Sequence, residues 1–416
     1  MKNLSKRDYS ILIGSAVDHF DTALYSFLAP IFAQLFFPTS DPIISLILAY
    51  SVLATTIITR PLGSYIFGLI ALTSGPAVSL SYSLVGVGMT TLALGFLPTY
   101  NQIGVYAPIL LIILRFFSGT FSAGEISIAK LYILAEKKKS AALKSSYLYQ
   151  TSVMLGIVFA SFASIIALNH QKTIYWRMCF VIGGITALFG YILRIYKTEK
   201  LPLNIKQTLS LYSIGTVKTL WDNKGSLLRV AITSGFSYAT YSVPFIIMNN
   251  LIPEFTGFTL ENMMTSNTIL LIMDMILLPV IGTFLFKFEL KNLLLFTAGI
   301  MAITIIPVWY PIETSSFAYI ISIKIWIILI GVVFSDVINL WYETIIHKPE
   351  KYLIVGIGYS IGTAIIGKMA PAICLGLYHY TKSPFVIGWF MFIISLATIL
   401  AIAWPYNDKV KILNLN

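Results

Sequence analysis

The sequence is poor in charge for its length. Lys, Arg, Asp and Glu make up 11% of its 416 residues, whereas hydrophobic residues make up 57%. A soluble globular protein carries roughly 25% charged residues because its surface must be solvated. The mean hydropathy of +0.84 is also high. These values exclude an ordinary soluble protein and indicate a chain that lies in a lipid bilayer.

Cysteine and histidine are scarce as well. The two cysteines, Cys179 and Cys374, lie in apolar stretches, which excludes a disulfide framework and a cysteine metal site. The four histidines are scattered, and no nucleophile motif stands beside a base. The sequence therefore predicts no enzyme, no metal and no cofactor. A phosphate-loop-like run, Gly362–Met369, lacks the Ser or Thr that binds Mg²⁺ and lies in an apolar span.

The net charge of +11 does not indicate nucleic acid. No basic run is interleaved with aromatic residues as in a nucleic-acid groove. Cytoplasmic loops of membrane proteins collect Lys and Arg, which explains the excess. The predicted partners are a lipid bilayer and a small-molecule substrate, and the chain is expected to act as a monomer.

A helix needs about 20 apolar residues to cross a bilayer. Twelve candidate spans follow: 11–36, 43–70, 78–97, 107–134, 147–168, 176–196, 230–252, 262–286, 292–309, 316–341, 352–378 and 384–404. Nearly all Lys and Arg in the connections lie on the side of the N-terminus, and the opposite side holds only Lys172 and Lys382. This asymmetry predicts that both termini are cytoplasmic.

The longest polar connection divides the spans into six and six. We expect an N-terminal six-helix half at residues 1–196, a cytoplasmic linker at 197–229 and a C-terminal six-helix half at 230–416. Two six-helix halves joined in this way are typical of the major facilitator fold, an all-α membrane architecture.

Several motifs follow one another in the first half. They are GSAVDHFDTALYSFLAP (Gly14–Pro30), RPLG with a later FG (Arg60–Gly68), LPTYNQIGVYAPILL (Leu97–Leu111), RFFSGTFSAGE (Arg115–Glu125) and WRMCF (Trp176–Phe180). In this order they resemble the metabolite:proton symporter family of the major facilitators, which includes proline/betaine, α-ketoglutarate, citrate and shikimate carriers. The resemblance covers residues 11 to 200, and the second half resembles the family mainly in its span layout. It implies a transporter of a bacterial inner membrane.

The sequence departs from the family at its charged cytoplasmic latch. In the run from Gly68 to Ala77, Leu72 stands where the family has Asp, and Pro76 stands where it has Arg. The second-half counterpart has Phe286 at its acidic position. We therefore expect gating to rest more on packing than on charge pairs. The family's acid in helix five is replaced by Tyr149.

Ionisable groups at membrane depth are functional candidates because their burial is costly. Asp18 and Asp21 share one helix face. At a 1.5 Å rise, Asp21 lies about 15 Å and Glu125 about 13 Å from the same membrane side. In the resembled family helices one and four line the cavity, so Asp21 and Glu125 are expected to meet there. Asp21, Glu125 and Asp18 are the predicted proton-coupling residues.

Arg115 is a predicted substrate ligand, because a guanidinium matches a carboxylate in bidentate geometry. The alternative is that Asp21, Arg115 and Glu125 neutralise one another as a structural network. Tyr25, Tyr147 and Tyr149 are predicted to hydrogen-bond substrate, and their alternative role is packing.

The second half offers further charges at depth. Lys324 is predicted to bind an anionic substrate, whereas Asp274, Lys368 and Arg60 are predicted to act in gating or as structural charges. The simpler expectation for Asp274 is a pair with one of the two lysines. Asp336, near the cytoplasmic end of its span, is expected to be solvated.

The predicted function is proton-coupled symport by alternating access. The expected cargo of this uptake is a small zwitterionic or carboxylated metabolite, such as an osmolyte, an amino acid or a dicarboxylate. The alternatives are an exporter of metabolites or drugs on the same fold and a non-transporting membrane receptor.

Overall fold

A computed structural model describes residues 6–134, 139–170, 173–195, 220–285, 288–345 and 351–404. Twelve long helical segments in these ranges overlap the twelve predicted spans. The first six are α1 (Lys6–Phe36), α2 (Pro42–Ser51, Val52–Thr55 and Thr56–Ser74), α3 (Pro76–Gly95), α4 (Tyr106–Leu134), α5 (Lys139–His170) and α6 (Thr173–Ile195). The next six are α7 (Lys224–Ser242, Val243–Ile247, Met248–Leu251 and Ile252–Glu254), α8 (Leu260–Leu285), α9 (Leu290–Trp309), α10 (Phe317–Ile345), α11 (Lys351–Gly362, Thr363–Lys368 and Ala370–Thr381) and α12 (Val386–Ala403).

Short helical turns lie in two of the connections, and a single glycine forms a third. Tyr100–Ile103 precedes α4, and its start is closed by a capping box between Thr99 and Gln102. Ile312–Thr314 lies between α9 and α10. A single residue, Gly75, joins α2 to α3; its φ of 96° is accessible to glycine, and Pro76 follows at the first helical position. This tight turn explains why a proline fits where the family carries an arginine.

Eleven of the described helical segments are long and apolar enough to cross a membrane, judged by length and composition. The segment outside this group is α1, because Asp18, His19 and Asp21 lower its hydropathy. This helix carries two of the three predicted proton-coupling residues, Asp18 and Asp21.

We call the side on which α1 ends and α2 begins the outer side, because the distribution of basic residues predicts that it faces away from the cytoplasm. The other side is the inner side. Within the first six helices α1 packs on α5, and α3 packs on α4 and α6. Within the last six, α7 packs on α11 and α9 on α12. The two sets meet mainly where α5 packs on α8 and where α2 packs on α11.

Three spans that the sequence predicts as continuous helices contain irregular turns. In α2, the hydroxyls of Thr55 and Thr56 bond back to the carbonyls of Val52 and Leu53, at 2.8 and 2.7 Å, where the helix narrows to a 3₁₀ turn. Such back-bonding competes with the helical ladder. In α7, Pro244 lies in the π-helical turn Val243–Ile247. Proline causes such irregularity because it has no backbone N–H.

The third irregular turn is in α11. The π-helical segment Thr363–Lys368 comes directly before the segment that carries Pro371 in its first turn. A π turn holds more residues than an α turn and appears often at functional sites. It therefore changes the face on which the following side chains project.

Candidate functional site

A buried ion pair connects α1 and α4. Nη1 of Arg115 donates to Oδ2 of Asp21 at 2.9 Å, and both side chains are nearly inaccessible to solvent. Asp21 also accepts hydrogen bonds from the hydroxyls of Ser118, at 3.1 Å, and Thr91, at 2.8 Å. The Arg115 guanidinium lies 4.3 Å from the centroid of the Tyr25 ring. Asp21 is thus held by three donors from α3 and α4.

The other edge of the Arg115 guanidinium is not used. Nε and Nη2 are buried and have no hydrogen-bond partner among the described residues. These two nitrogens form the fork that binds a carboxylate with two parallel hydrogen bonds. Arg115 therefore combines a structural contact on one edge with an open donor pair on the other.

Arg115 borders a small cavity of about 20 Å³ between the two sets of helices, which is room for about one water molecule. Its lining combines three cations with five hydroxyl groups: Arg60, Arg115 and Lys368, and Thr22, Thr55, Thr56, Ser118 and Ser122. Carboxylate side chains are not part of this lining. The cavity wall is therefore a polar, cationic surface.

The three cations come from both sets of helices. Nη1 of Arg60, on α2, donates to Oγ1 of Thr363 in the π turn of α11 at 2.9 Å. Lys368 ends the same turn and interacts electrostatically with Arg60 and Arg115. The sequence predicts gating or structural roles for Arg60 and Lys368, and the structure places both at the cavity beside Arg115.

A second group of polar side chains lies on the inner side of this cavity. Asp18 is 1% exposed, and neither carboxylate oxygen has a hydrogen-bond partner among the described residues. The imidazole of His19 lies beside it, with Nδ1 3.7 Å from Oδ2. That nitrogen is also 2.8 Å from the carbonyl of Ser15, which accepts its proton in the corresponding tautomer.

Glu125 belongs to the same group. It is fully buried, and its Oε1 accepts a hydrogen bond from Ser15 at 3.2 Å. Asp18 interacts electrostatically with Glu125, Asp21 and Arg60. The three predicted proton-coupling carboxyls therefore lie in one region, but they differ in environment, because Asp21 is fully hydrogen-bonded and Asp18 is not.

The tyrosines predicted to contact substrate have different surroundings. The hydroxyl of Tyr25 donates to the carbonyl of Ala49 at 2.8 Å, so it joins α1 to α2, and its ring supports Arg115. Tyr149 is buried in a small apolar cluster and interacts electrostatically with Glu125. The side chain of Tyr147 lies outside the described residues.

Lys324 lies apart from the cavity. It is fully buried, and its Nζ donates to Oδ1 of Asn249 on α7 at 2.5 Å. The expected pairing of Asp274 with Lys324 or Lys368 is wrong, because no carboxylate lies within ion-pair distance of either lysine in the described part of the chain. Counted from the outer ends of α8 and α10 at a rise of 1.5 Å per residue, Asp274 lies about 10 Å deeper in the membrane than Lys324.

Asp274 has an acidic neighbour instead. It is 9% exposed, and Asp336 on α10 interacts with it electrostatically. Oδ2 of Asp336 is buried without a hydrogen-bond partner among the described residues, while the residue as a whole is half-buried, so Asp336 is only partly solvated. The sequence pattern did not reveal this arrangement because it shows depth along each helix but not which helices face each other.

The chain is similar in sequence to bacterial proteins that are named as carriers. The chain is 25% identical over 375 residues to the alpha-ketoglutarate permease of Escherichia coli, covering 88% of this chain and 85% of the relative. It is 25% identical over 413 residues to a protein of Staphylococcus haemolyticus named as a proline/betaine transporter, covering 94% and 85%. No family model matches the chain.

Solved structures share the fold at low sequence identity. A D-xylose-proton symporter matches with a TM-score of 0.74 and 14% identity, covering 96% of this chain and 97% of that one. A partially occluded inward-open conformation of the E. coli xylose transporter matches with a TM-score of 0.73 and 14% identity, covering 98% and 99%.

These findings define the class of protein. The chain is a multi-pass membrane transporter with the major facilitator fold. The predicted resemblance is confirmed: by sequence the chain is a relative of bacterial carriers named alpha-ketoglutarate permease and proline/betaine transporter. These relatives and structural neighbours are transporters and not enzymes, and their bacterial origin agrees with an inner-membrane location.

Proposed function

We propose that the chain is a proton-coupled symporter that takes up a small carboxylated metabolite by alternating access. The observation that carries this proposal is the cationic cavity between the two sets of helices, with Arg60 and Arg115 on one side and Lys368 on the other. Major facilitators bind substrate at such an interface near the bilayer midplane. The coupling ion in this proposal is the proton, and the chain acts as a monomer without a cofactor.

The free edge of Arg115 supports a carboxylate as the group that is recognised. Its Nε and Nη2 offer two parallel donors, and the neighbouring hydroxyl of Ser122, which has no partner among the described residues, offers a third. Arg60 and Lys368 add positive charge at the same cavity, which favours a second carboxylate over an ammonium group. Within the expected class we therefore favour a dicarboxylate over a zwitterion. The named functions of the relatives include both kinds of solute.

The difference between the carboxyls suggests which one binds the proton. Asp21 is occupied by Arg115, Ser118 and Thr91, so protonation of Asp21 would disrupt three hydrogen bonds. No donor among the described residues meets hydrogen-bond geometry at Asp18, although the hydroxyl of Ser122 lies close to its carboxyl, and Asp18 lies beside Glu125. Protonation of Asp18 removes a negative charge that otherwise balances Arg60, which increases the attraction of the cavity for an anion. Proton and anion binding would then favour each other.

Uptake into proteoliposomes tests the proposal. The purified protein is reconstituted, and uptake of radiolabelled α-ketoglutarate, succinate, proline and betaine is measured with and without an inward proton gradient. We expect a dicarboxylate to accumulate only when the gradient is imposed and an uncoupler to abolish the accumulation. Protein-free vesicles are the control. Accumulation of a zwitterion alone would contradict the substrate class, and uptake that ignores the gradient would contradict the coupling.

A further inference from the structure

The outer segments of α2 and α11 are set off from the rest of their helices. In α2, the 3₁₀ turn Val52–Thr55 separates Pro42–Ser51 from the inner segment. In α11, the π turn Thr363–Lys368 separates Ala370–Thr381 from the inner segment. The two turns contact each other, and residues in or next to both line the cationic cavity. The outer segments therefore lie directly above the cavity.

The two outer segments pack against each other across the interface between the first and the last six helices. At their outer ends, Oδ2 of Asp41 lies 3.4 Å from Nδ1 of His379, and both side chains are about one-third exposed. Asp41 is fixed in place because its Oδ1 caps the start of α2, accepting from the amide of Ile43 at 2.8 Å. This contact joins the N-cap residue of one segment to the last turn of the other.

A second contact lies one level deeper. The hydroxyl of Tyr50 accepts a hydrogen bond from Nδ2 of Asn250, on the outer part of α7, at 2.8 Å and donates to the carbonyl of Ser26. Asn250 lies beyond the irregular turn of α7, Val243–Ile247. The outer part of α7 is in turn joined to α11, because the hydroxyl of Tyr378 donates to the carbonyl of Glu254 at 3.5 Å. The outer parts of α7 and α11 are thus joined to each other, and both contact the outer part of α2.

We propose that Pro42–Ser51 of α2 and Ala370–Thr381 of α11 form an outer gate that swings at the two irregular turns. Opening the gate breaks the Asp41–His379 and Tyr50–Asn250 contacts and connects the cavity with the outer side, while the inner segments of both helices keep their positions. A turn of 3₁₀ or π hydrogen bonding in the middle of a helix is a suitable hinge because its bonds have poorer geometry than those of an α-helix. The gate does not depend on which solute is carried.

Spin-label distances test the gate without a substrate. One pair, at Ser40→Cys and Tyr380→Cys, reports on the outer segments, since both positions are exposed. A second pair, at Ser74→Cys and Gly225→Cys, reports on the inner ends of α2 and α7, where an added Cβ at Gly225 meets no atom within 4 Å. Both pairs are placed in a background with Cys179 and Cys374 replaced by Ser. Distances are measured by pulsed electron paramagnetic resonance in nanodiscs.

The gate is loosened with Asp41→Ser and Tyr50→Phe together. Serine also caps a helix, so the first change removes only the reach to His379. We expect the fraction of long outer distances to rise about tenfold, which corresponds to about 1.4 kcal/mol, with inner distances unchanged. His379→Ala, which leaves the α2 cap intact, should show the same effect to a smaller extent. Tyr310→Phe, an exposed tyrosine on the same side, is the matched control.

Two results would overturn the proposal. If the inner distances change together with the outer ones, the helices move as whole bodies and no local gate exists. If the outer distances stay at their wild-type values in the double variant and in His379→Ala, these contacts do not hold the segments together. A wild-type size-exclusion profile for each variant shows that folding is retained, and His379→Ala serves as the test where the double variant fails that check.

Discussion

Removal of one charge from the Asp21–Arg115 pair should destabilise the protein strongly. In Asp21→Asn, the guanidinium of Arg115 loses its counter-charge in a site where both side chains are nearly inaccessible. The hydroxyls of Thr91 and Ser118 then face an amide with one acceptor oxygen instead of two. Loss of one partner of a buried pair costs about 3–5 kcal/mol, because the other charge stays buried.

The same reasoning predicts that the two charges are not independent. Arg115→Gln alone leaves Asp21 without its cation and should cost about as much as Asp21→Asn. The double variant leaves no buried charge at this site, so its cost should fall below the sum of the single costs by about 2–3 kcal/mol, the upper part of the range of about 0.5–3 kcal/mol for residues in one network. The magnitude follows from the 2.9 Å contact and the burial of both groups.

Thermal unfolding of the purified protein measures these costs. With an unfolding entropy of about 2 cal/mol/K per residue, a loss of 3–5 kcal/mol lowers the Tm of a chain of this size by about 3–6 °C. Thr91→Ser, which keeps the hydroxyl donor, is the matched control and should unfold near the wild-type temperature. The reasoning is refuted if Asp21→Asn leaves the Tm unchanged or if the effects of the two single variants simply add.

Three further predictions concern the cavity and the helix packing. Arg115→Lys keeps a cation beside Asp21 but lacks the donor fork, so the Tm should change little. The KM for the transported dicarboxylate should rise about 10–100-fold, in line with about 1.5–3 kcal/mol for hydrogen bonds to a charged group. An unchanged KM in uptake assays would show that the free edge of the guanidinium does not bind substrate. Asp18→Asn should permit exchange of substrate across the membrane, measured by counterflow, but remove accumulation driven by a proton gradient, measured by uptake. Accumulation at the wild-type level would exclude Asp18 as the proton carrier. Gly156→Ala should lower the Tm because the new Cβ would overlap the backbone of Ala16 where α5 packs on α1. The control Gly299→Ala, where an added Cβ meets no atom within 4 Å, should leave the Tm unchanged or raise it. Equal Tm values for the two variants would contradict the close packing at Gly156.

Much of the architecture could be predicted because it depends on composition along the chain. Eleven of the twelve predicted spans overlap helices that are apolar enough to cross a membrane, and the first overlaps α1. The boundaries were predicted less well. Helix α5 begins at Lys139, eight residues before the predicted span, because a helix continues beyond the apolar region that the hydropathy detects. The orientation of the termini and the division into halves stay predictions.

The site could be predicted in part. Depth along α1 and α4 predicts that Asp21 meets Glu125, whereas in the structure Asp21 contacts Arg115 at 2.9 Å and Glu125 accepts from Ser15 at 3.2 Å. The place of Lys368 at the cavity could not be predicted from a regular 3.6-residue period, because the π turn before it changes the direction of its side chain. The contact of Lys324 with Asn249 could not be predicted either, since a neutral amide carries no charge pattern to search for.

The distribution of polar contacts explains how a chain without the family's acidic latch residues can still change conformation. The buried ion pair of Asp21 and Arg115 lies wholly within the first six helices, where its loss would cost about 3–5 kcal/mol. Across the interface the described contacts include the hydrogen bond of Arg60 to Thr363 and the partly exposed Asp41–His379 contact. They also include neutral hydrogen bonds, such as Ser161 with Thr268 at 2.7 Å and Tyr50 with Asn250 at 2.8 Å. Each of these contributes about 1 kcal/mol net. The strong buried pair stabilises the first set of helices, whereas contacts of about 1 kcal/mol between the sets can break and re-form in a transport cycle, as expected for gating that depends on packing.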